Sequence, residues 1–138
     1  MIQQLILNQD QYDTMLQHMA EHAPLEACGL LAGKNSRVRH VLPILNQAQS
    51  PVRFMMDPYE QLQAFQWIDS RGLELVGIFH SHPAGPEIIS ATDIREAAYE
   101  VVHVIWSHTC GIWQMHGFWI EAGQVLEVDL LVEKSSET

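Results

Sequence analysis

Hydrophobic and polar positions follow two rhythms along this chain, and the points where the rhythm changes mark the elements. Residues 2 to 7 read as a short strand. Asn8 is then placed to cap a helix over 9 to 22 carrying Tyr12, Met15, Leu16, Met19 and Ala20 on one face, at the spacing of three and four that a helix requires. Pro24 ends that helix and Gly33 begins a turn, so the apolar segment between them predicts a buried strand. Glu26 is the oddity at its start, an edge residue or a paired one. Asn35 and Ser36 turn into Val38, His40, Leu42 and Ile44, an alternating strand whose Pro43 favours an edge position. Residues 46 to 51 read as loop.

Asp57-Pro58 opens a second helix over 57 to 71, with an N-cap aspartate and proline at the first helical position. Tyr59, Leu62, Phe65 and Ile68 form its expected core face, Trp67 is partly exposed, and Gly72 closes it. Leu73, Leu75, Val76, Ile78 and Phe79 predict a strand over 73 to 80. The loop from Pro83 to Ile89 has two prolines and a glycine, and a further helix is expected from Ser90 to about Tyr99. Val101 to Trp106 is almost continuously apolar, as in a strand covered on both faces. Ile112 to Ile120 and Val125 to Val132 read as a hairpin through Ala122-Gly123. The expected organisation is one domain over 1 to 132 with a disordered polar tail over 133 to 138.

Composition narrows the functional classes. With 138 residues, 47% of them hydrophobic, the chain fits a single compact domain with its own core. A net charge of -10 with only 7 Lys and Arg argues against a nucleic-acid partner. Two cysteines, Cys28 and Cys110, are too few for a disulfide framework, and no run approaches a membrane span or a signal peptide, so no membrane partner and a cytoplasmic setting are expected. Cys28 reads as a small buried hydrophobe. Composition leaves the oligomeric state open.

The chemistry gathers where the strand over 73 to 80 ends. His80 and His82 stand two apart, so on an extended chain both imidazoles project to one side and can reach one ion. Asp93 would add an oxygen ligand, giving a His, His, Asp set with one coordination position open, as in catalytic zinc sites. Ser90 and Asp93 equally suit a helix N-terminus, the serine as cap. His18 and His22 lack a third partner and read as solvated. Glu87 falls in the Pro/Gly loop and reads as solvated too. His103, His108 and His116 are assigned structural or surface positions.

Taken together, Glu26, His80-Ser81-His82-Pro83 and Ser90-x-x-Asp93 resemble the JAMM motif of the MPN (Mov34/PAD-1) metalloprotease family, in which seven residues separate the second histidine from the serine, as Pro83 to Ile89 do here. Pro24-x-Glu26-x-Cys28-Gly29-Leu30-Leu31 is similar to the glutamate segment of small prokaryotic members. The resemblance implies an α/β, single-domain MPN (cytidine-deaminase-like) fold, a mixed curved sheet flanked by helices. It implies Zn2+ held by His80, His82 and Asp93, with Glu26 holding and deprotonating the water and Ser90 donating to the oxyanion. The implied activity is hydrolysis of an amide bond at the C-terminal Gly-Gly tail of a ubiquitin-like or sulfur-carrier protein. Residues 83 to 89 would wall a narrow groove for that tail, with Ile88 and Ile89 excluding bulky residues. The alternative is a catalytically inactive MPN scaffold serving protein interaction. A zinc nucleoside deaminase would need His-x-Glu and Pro-Cys-x-x-Cys, and an amidohydrolase barrel would need a far longer chain.

Overall fold

Asn8 joins the first strand to the first helix. Its side chain accepts the Gln11 amide at 2.8 Å while the Gln11 side chain accepts the Asn8 amide at 2.9 Å, a reciprocal cap that satisfies two donors a helix start leaves open. The computed structural model describes residues 3–85, 89–90, 93–94 and 99–134. In chain order the elements are β1 (Gln4–Asn8), α1 (Gln9–His22), β2 (Cys28–Lys34), β3 (Arg37–Ile44), α2 (Pro58–Ser70), β4 (Glu74–His82), β5 (Val102–Thr109), β6 (Ile112–Glu121) and β7 (Gln124–Glu133). None of the described helices is long and apolar enough to cross a membrane.

The strands run β1-β3-β2-β4-β5-β6-β7 and close on themselves, because β1 pairs in parallel with both β7 and β3. The expected curved sheet is therefore a barrel. Its closure is thin on one side: the β1 and β3 ladder consists of the single pair Ile6 and Arg37. Past that pair β3 has no described strand on its outer edge, which is where Pro43 sits without removing a ladder bond.

Side-chain alternation divides the core. Phe79 of β4 and Val102, Val104 and Trp106 of β5 join Leu5, Leu7 and Leu31 in one cluster, which Met15 and Met19 of α1 cover. Ala20, expected on that helix face, is exposed. On the other face of β4, Ile78 packs with Cys28, Leu30, Ile44 and Met56. Gly29 is required between the layers, since a Cβ there would stand 2.3 Å from the Phe79 ring and 2.6 Å from the Leu42 carbonyl.

Two further expectations change, and a third falls mostly outside the described residues. Tyr59 and Leu62 are 69% and 55% exposed, because α2 rests on the sheet through Ala64, Phe65 and Ile68 near its C-terminal half. Its first turn is held instead by polar contacts, Asp57 capping Glu60 and the Glu60 carboxylate accepting the Leu45 amide at 2.9 Å. Glu133 belongs to β7, where it pairs with Arg37 at 2.7 Å, and residues 135–138 of the expected tail lie outside those described. Of the helix expected from Ser90, Asp93 and Ile94 are helical, while 91–92 and 95–98 lie outside the described residues.

Candidate active site

β4 extends two residues further than its sequence pattern suggests, so both histidines are on the strand itself. Strand alternation turns Phe79 and Ser81 to one face and Ile78, His80 and His82 to the other. His80 is fully buried and His82 is 6% exposed. Their Nε2 atoms lie 3.2 Å apart, and the Asp93 Oδ2 lies 3.3 Å from the first and 3.2 Å from the second. Ligands about 2.0 to 2.1 Å from a tetrahedral cation are roughly 3.3 Å from one another, so these three donors have the spacing of one face of a metal tetrahedron. Hydrogen bonds alone account for the cluster poorly, because two imidazole nitrogens facing at that distance share at most one proton.

Asp93 is held in place from its own segment. The Ser90 amide donates to Asp93 Oδ2 at 3.0 Å and the Asp93 amide donates to Ser90 Oγ at 3.0 Å, so the cap and the candidate ligand are the same structure. Accepting that amide leaves the Ser90 hydroxyl proton to donate elsewhere. Burial alone would raise the Asp93 carboxyl, but hydrogen bonds from His80 and His82 outweigh it and hold the group well below the usual carboxylate range. Burial lowers the basicity of His80.

Glu26 comes from the turn before β2, not from the strand. It is 4% exposed, and its Oε1 is buried without a hydrogen-bond partner. Its backbone is tied on both sides: the amide donates to the Ser50 carbonyl at 2.8 Å, and the carbonyl accepts the Asn46 side chain at 2.9 Å. The register of β2 against β4, with Cys28 opposite His80, brings it alongside the histidine pair. Glu26, His80 and His82 thus form a buried set whose donor atoms all lie within 4.8 Å of one another, a cluster able to hold a metal ion. Burial pushes the Glu26 carboxyl up to about 8, with His82 opposing and Asp93 adding to the rise. A divalent cation beside it would favour the ionised form.

Four features here have no counterpart in the motif. Ser81, between the histidines, faces away from them and bonds to Ala27. Asn46 organises the loop after β3, and Phe54 from that loop stacks on the His80 ring at 4.4 Å and 25°. His103, expected to be structural or superficial, is 4% exposed and lines a cavity of about 390 Å³ together with His80 and Asp93. A histidine inside the apolar run Val101 to Trp106 was the available signal. Conversely, Ile89 packs among Ile105, Phe118 and Ile120, in the core and not in a groove wall, while Glu87 and Ile88 lie outside the described residues. His18, expected to be solvated, stands 3.2 Å from the Cys28 carbonyl and edge-on to Phe79. Cys28 is fully buried as expected, its thiol pushed up to about 12 by that burial.

The chain is similar to known proteins over most of its length. A model of prokaryotic homologs of the JAB domain matches residues 8–120. A probable TtuB-protein conjugate cleaving protease of Thermus thermophilus is 39% identical over 83% of this chain and 74% of its own length. The CysO-cysteine peptidase of Mycobacterium bovis is 31% identical over 73% of this chain and 70% of its own. Among solved structures, a protein from Desulfitobacterium hafniense superposes with a TM-score of 0.86 at 35% identity, covering 96% of this chain and 95% of that one.

Proposed function

The chain belongs to the family of prokaryotic JAB-domain proteins, and from that premise we propose that it is a zinc-dependent peptidase or isopeptidase cutting an amide bond at the C-terminal Gly-Gly tail of a ubiquitin-like or sulfur-carrier protein. The observation that carries the reading is the convergence of His80, His82 and Asp93 on one point with the buried Glu26 carboxylate beside it. The relatives named as a conjugate cleaving protease and a CysO-cysteine peptidase support the same chemistry.

In this reading His80, His82 and Asp93 are the zinc ligands. Two imidazole nitrogens and a carboxylate oxygen suit that ion, and three protein ligands leave a position open. Bound zinc would supply a water with its pKa lowered toward about 7 and would polarise the scissile carbonyl. The rest falls to side chains. Glu26 takes the proton of the attacking water and returns it to the leaving amine, the two proton transfers that amide hydrolysis needs. Its buried, unpartnered Oε1 supports this role. The Ser90 hydroxyl donates a hydrogen bond to the oxyanion as the carbonyl becomes tetrahedral. Phe54 over His80 keeps water off the ring. Five filled motif positions brought together in space also speak against an inactive scaffold.

The test is incubation of the zinc-loaded chain with a Gly-Gly-ending carrier extended by one residue, read by mass spectrometry. Loss of the added residue, abolished by a chelator and restored by zinc, is expected. An intact carrier with a fully zinc-loaded chain would leave the scaffold reading standing.

A further inference from the structure

His18 and His22 stand four apart at the C-terminal end of α1, the spacing at which a helix presents two imidazoles on one face to a metal. Their ring centroids lie 4.4 Å apart with the planes at 58°. We propose that this pair is a second metal site, separate from the candidate zinc centre, that takes a divalent cation of tetragonal preference such as Ni2+ or Cu2+ and staples α1 to the start of β2.

Each ring is already committed through one nitrogen. His18 Nε2 lies 3.2 Å from the Cys28 carbonyl, and His22 Nδ1 lies 2.8 Å from the His18 carbonyl. A carbonyl only accepts, so both of these nitrogens carry the proton, and the lone pairs fall on His18 Nδ1 and His22 Nε2. Metal-binding histidines are commonly fixed in this way, with one nitrogen bonded to a backbone carbonyl and the other on the ion. Here both tautomers are set before an ion arrives. Burial, followed by the charge of His22, lowers the basicity of His18, so at neutral pH that ring meets a cation with no proton to displace.

Ring spacing distinguishes this pair from the one on β4. An imidazole centroid sits about 3.2 Å from a cation bound ~2.0 Å from its nitrogen, so two rings are roughly 5.2 Å apart at a tetrahedral angle and about 4.5 Å apart at a right angle. His80 and His82 have centroids 5.0 Å apart, near the tetrahedral value. The 4.4 Å between His18 and His22 matches two adjacent corners of a square, the arrangement that Ni2+ and Cu2+ favour with nitrogen ligands. Among the described residues no third His, Cys, Asp or Glu lies close enough to complete a set with this pair, so water fills the remaining positions. His22 is exposed, which leaves the approach open, and the neighbouring Glu21 adds a charge that favours a cation. The ring of His18 also reaches Cys28, the residue opposite His80 and two after Glu26, so an ion held here braces the strand that carries the carboxylate.

The zinc-loaded chain, titrated with Ni2+ in a calorimeter at neutral pH, should bind one further equivalent while its zinc content, followed by elemental analysis, stays unchanged. His22→Ala, at an exposed position, should weaken that binding by on the order of tenfold or more, because one arm of an intramolecular pair is lost. Saturating Ni2+ should raise the urea midpoint of the wild type and leave that of His22→Ala where it is. Cu2+ in the same place should give an axial electron paramagnetic resonance spectrum with coupling to two nitrogens, reduced to one in the variant. Equal Ni2+ affinity in wild type and His22→Ala, or coupling to a single nitrogen in the wild type, overturns the site. Uptake of Ni2+ only as zinc is released would put the ion at the β4 histidines and overturns it equally.

Discussion

Ser81 and Ala27, 54 residues apart, are bonded in both directions: the Ala27 amide donates to Ser81 Oγ at 2.9 Å, and the Ser81 amide donates to the Ala27 carbonyl at 2.9 Å. Ser81 sits between the two histidines and Ala27 follows Glu26, so this pair fixes the carboxylate against the imidazoles from behind. Ser81→Ala should leave the buried Ala27 amide unsatisfied and destabilise the fold by about 1 to 3 kcal/mol. Because a misplacement near 1 Å can lower turnover on the order of a hundredfold, kcat should fall by at least tenfold while zinc content is kept. Unchanged kcat would show that Glu26 is positioned by other contacts.

Glu26→Gln should bind zinc normally and lose turnover by on the order of a hundredfold or more, since the amide neither takes nor returns a proton. His80→Ala and Asp93→Ala should lose the metal itself. Elemental analysis beside the hydrolysis assay separates the two outcomes. Full activity in the glutamine variant would remove Glu26 from proton transfer.

His80, His82, Ser90 and Asp93 were legible in the chain because their geometry is local: strand alternation aligns the rings, and a helix cap orients the carboxylate. By local pattern Glu26 was a carboxylate out of place, and its role came from the family resemblance alone. What joins it to the histidines is the register of β2 on β4, a long-range property that no local pattern encodes. The same holds for Ser81, Asn46, Phe54 and His103, whose partners come from distant elements. Periodicity misassigned Tyr59 and Leu62 because it identifies an apolar stripe without saying how far a neighbour covers it. Barrel closure was hidden for a similar reason, resting on the parallel pairings of β1 with β3 and with β7 at the other end of the chain.

Burial, aided by the charge of His80, pushes the His103 ring down to about 4 in the native state, whereas the unfolded ring takes up a proton near its ordinary value of 6.5. The unfolded chain therefore binds more protons between those two values. The contribution to stability is fully present above pH 6.5 and is lost as pH falls toward about 4, by roughly 3 kcal/mol in all. His80 and Asp93 face the same cavity and titrate as well, so the readout is the difference in slope between wild type and His103→Phe in the same metal state. The variant should have the flatter urea-stability profile from pH 7 to 4. Parallel profiles would mean that His103 is not held neutral by the fold.

The two thiols should respond oppositely to alkylation. Cys110 is exposed, while Cys28 is fully buried and its thiol is pushed up to about 12, so at pH 8 it is neither accessible nor ionised. Native protein should take up one equivalent of iodoacetamide at Cys110, and a second only on denaturation. Rapid labelling of Cys28 in native protein would mean that the β2 and β4 layer opens readily.

Asn46 links the two arms of the site, and its removal should differ from that of Ser81 in a diagnostic way. Its Nδ2 donates to the carbonyls of Glu26 at 2.9 Å and Arg53 at 3.1 Å, and its Oδ1 accepts the amides of Ala48 at 3.1 Å and Met55 at 2.9 Å. The bonds to Arg53 and Met55 bracket Phe54, the residue stacked on His80. Asn46→Ala should therefore loosen both the Glu26 backbone and the aromatic cover of a proposed ligand. Turnover should fall as with Ser81→Ala, but zinc affinity should fall too, by roughly tenfold, as expected when a contact orienting a metal ligand is lost. Competition against a chromogenic chelator measures this. If Asn46→Ala slows turnover while binding zinc as tightly as Ser81→Ala does, Phe54 has no part in orienting His80, and the loop after β3 acts through Glu26 alone.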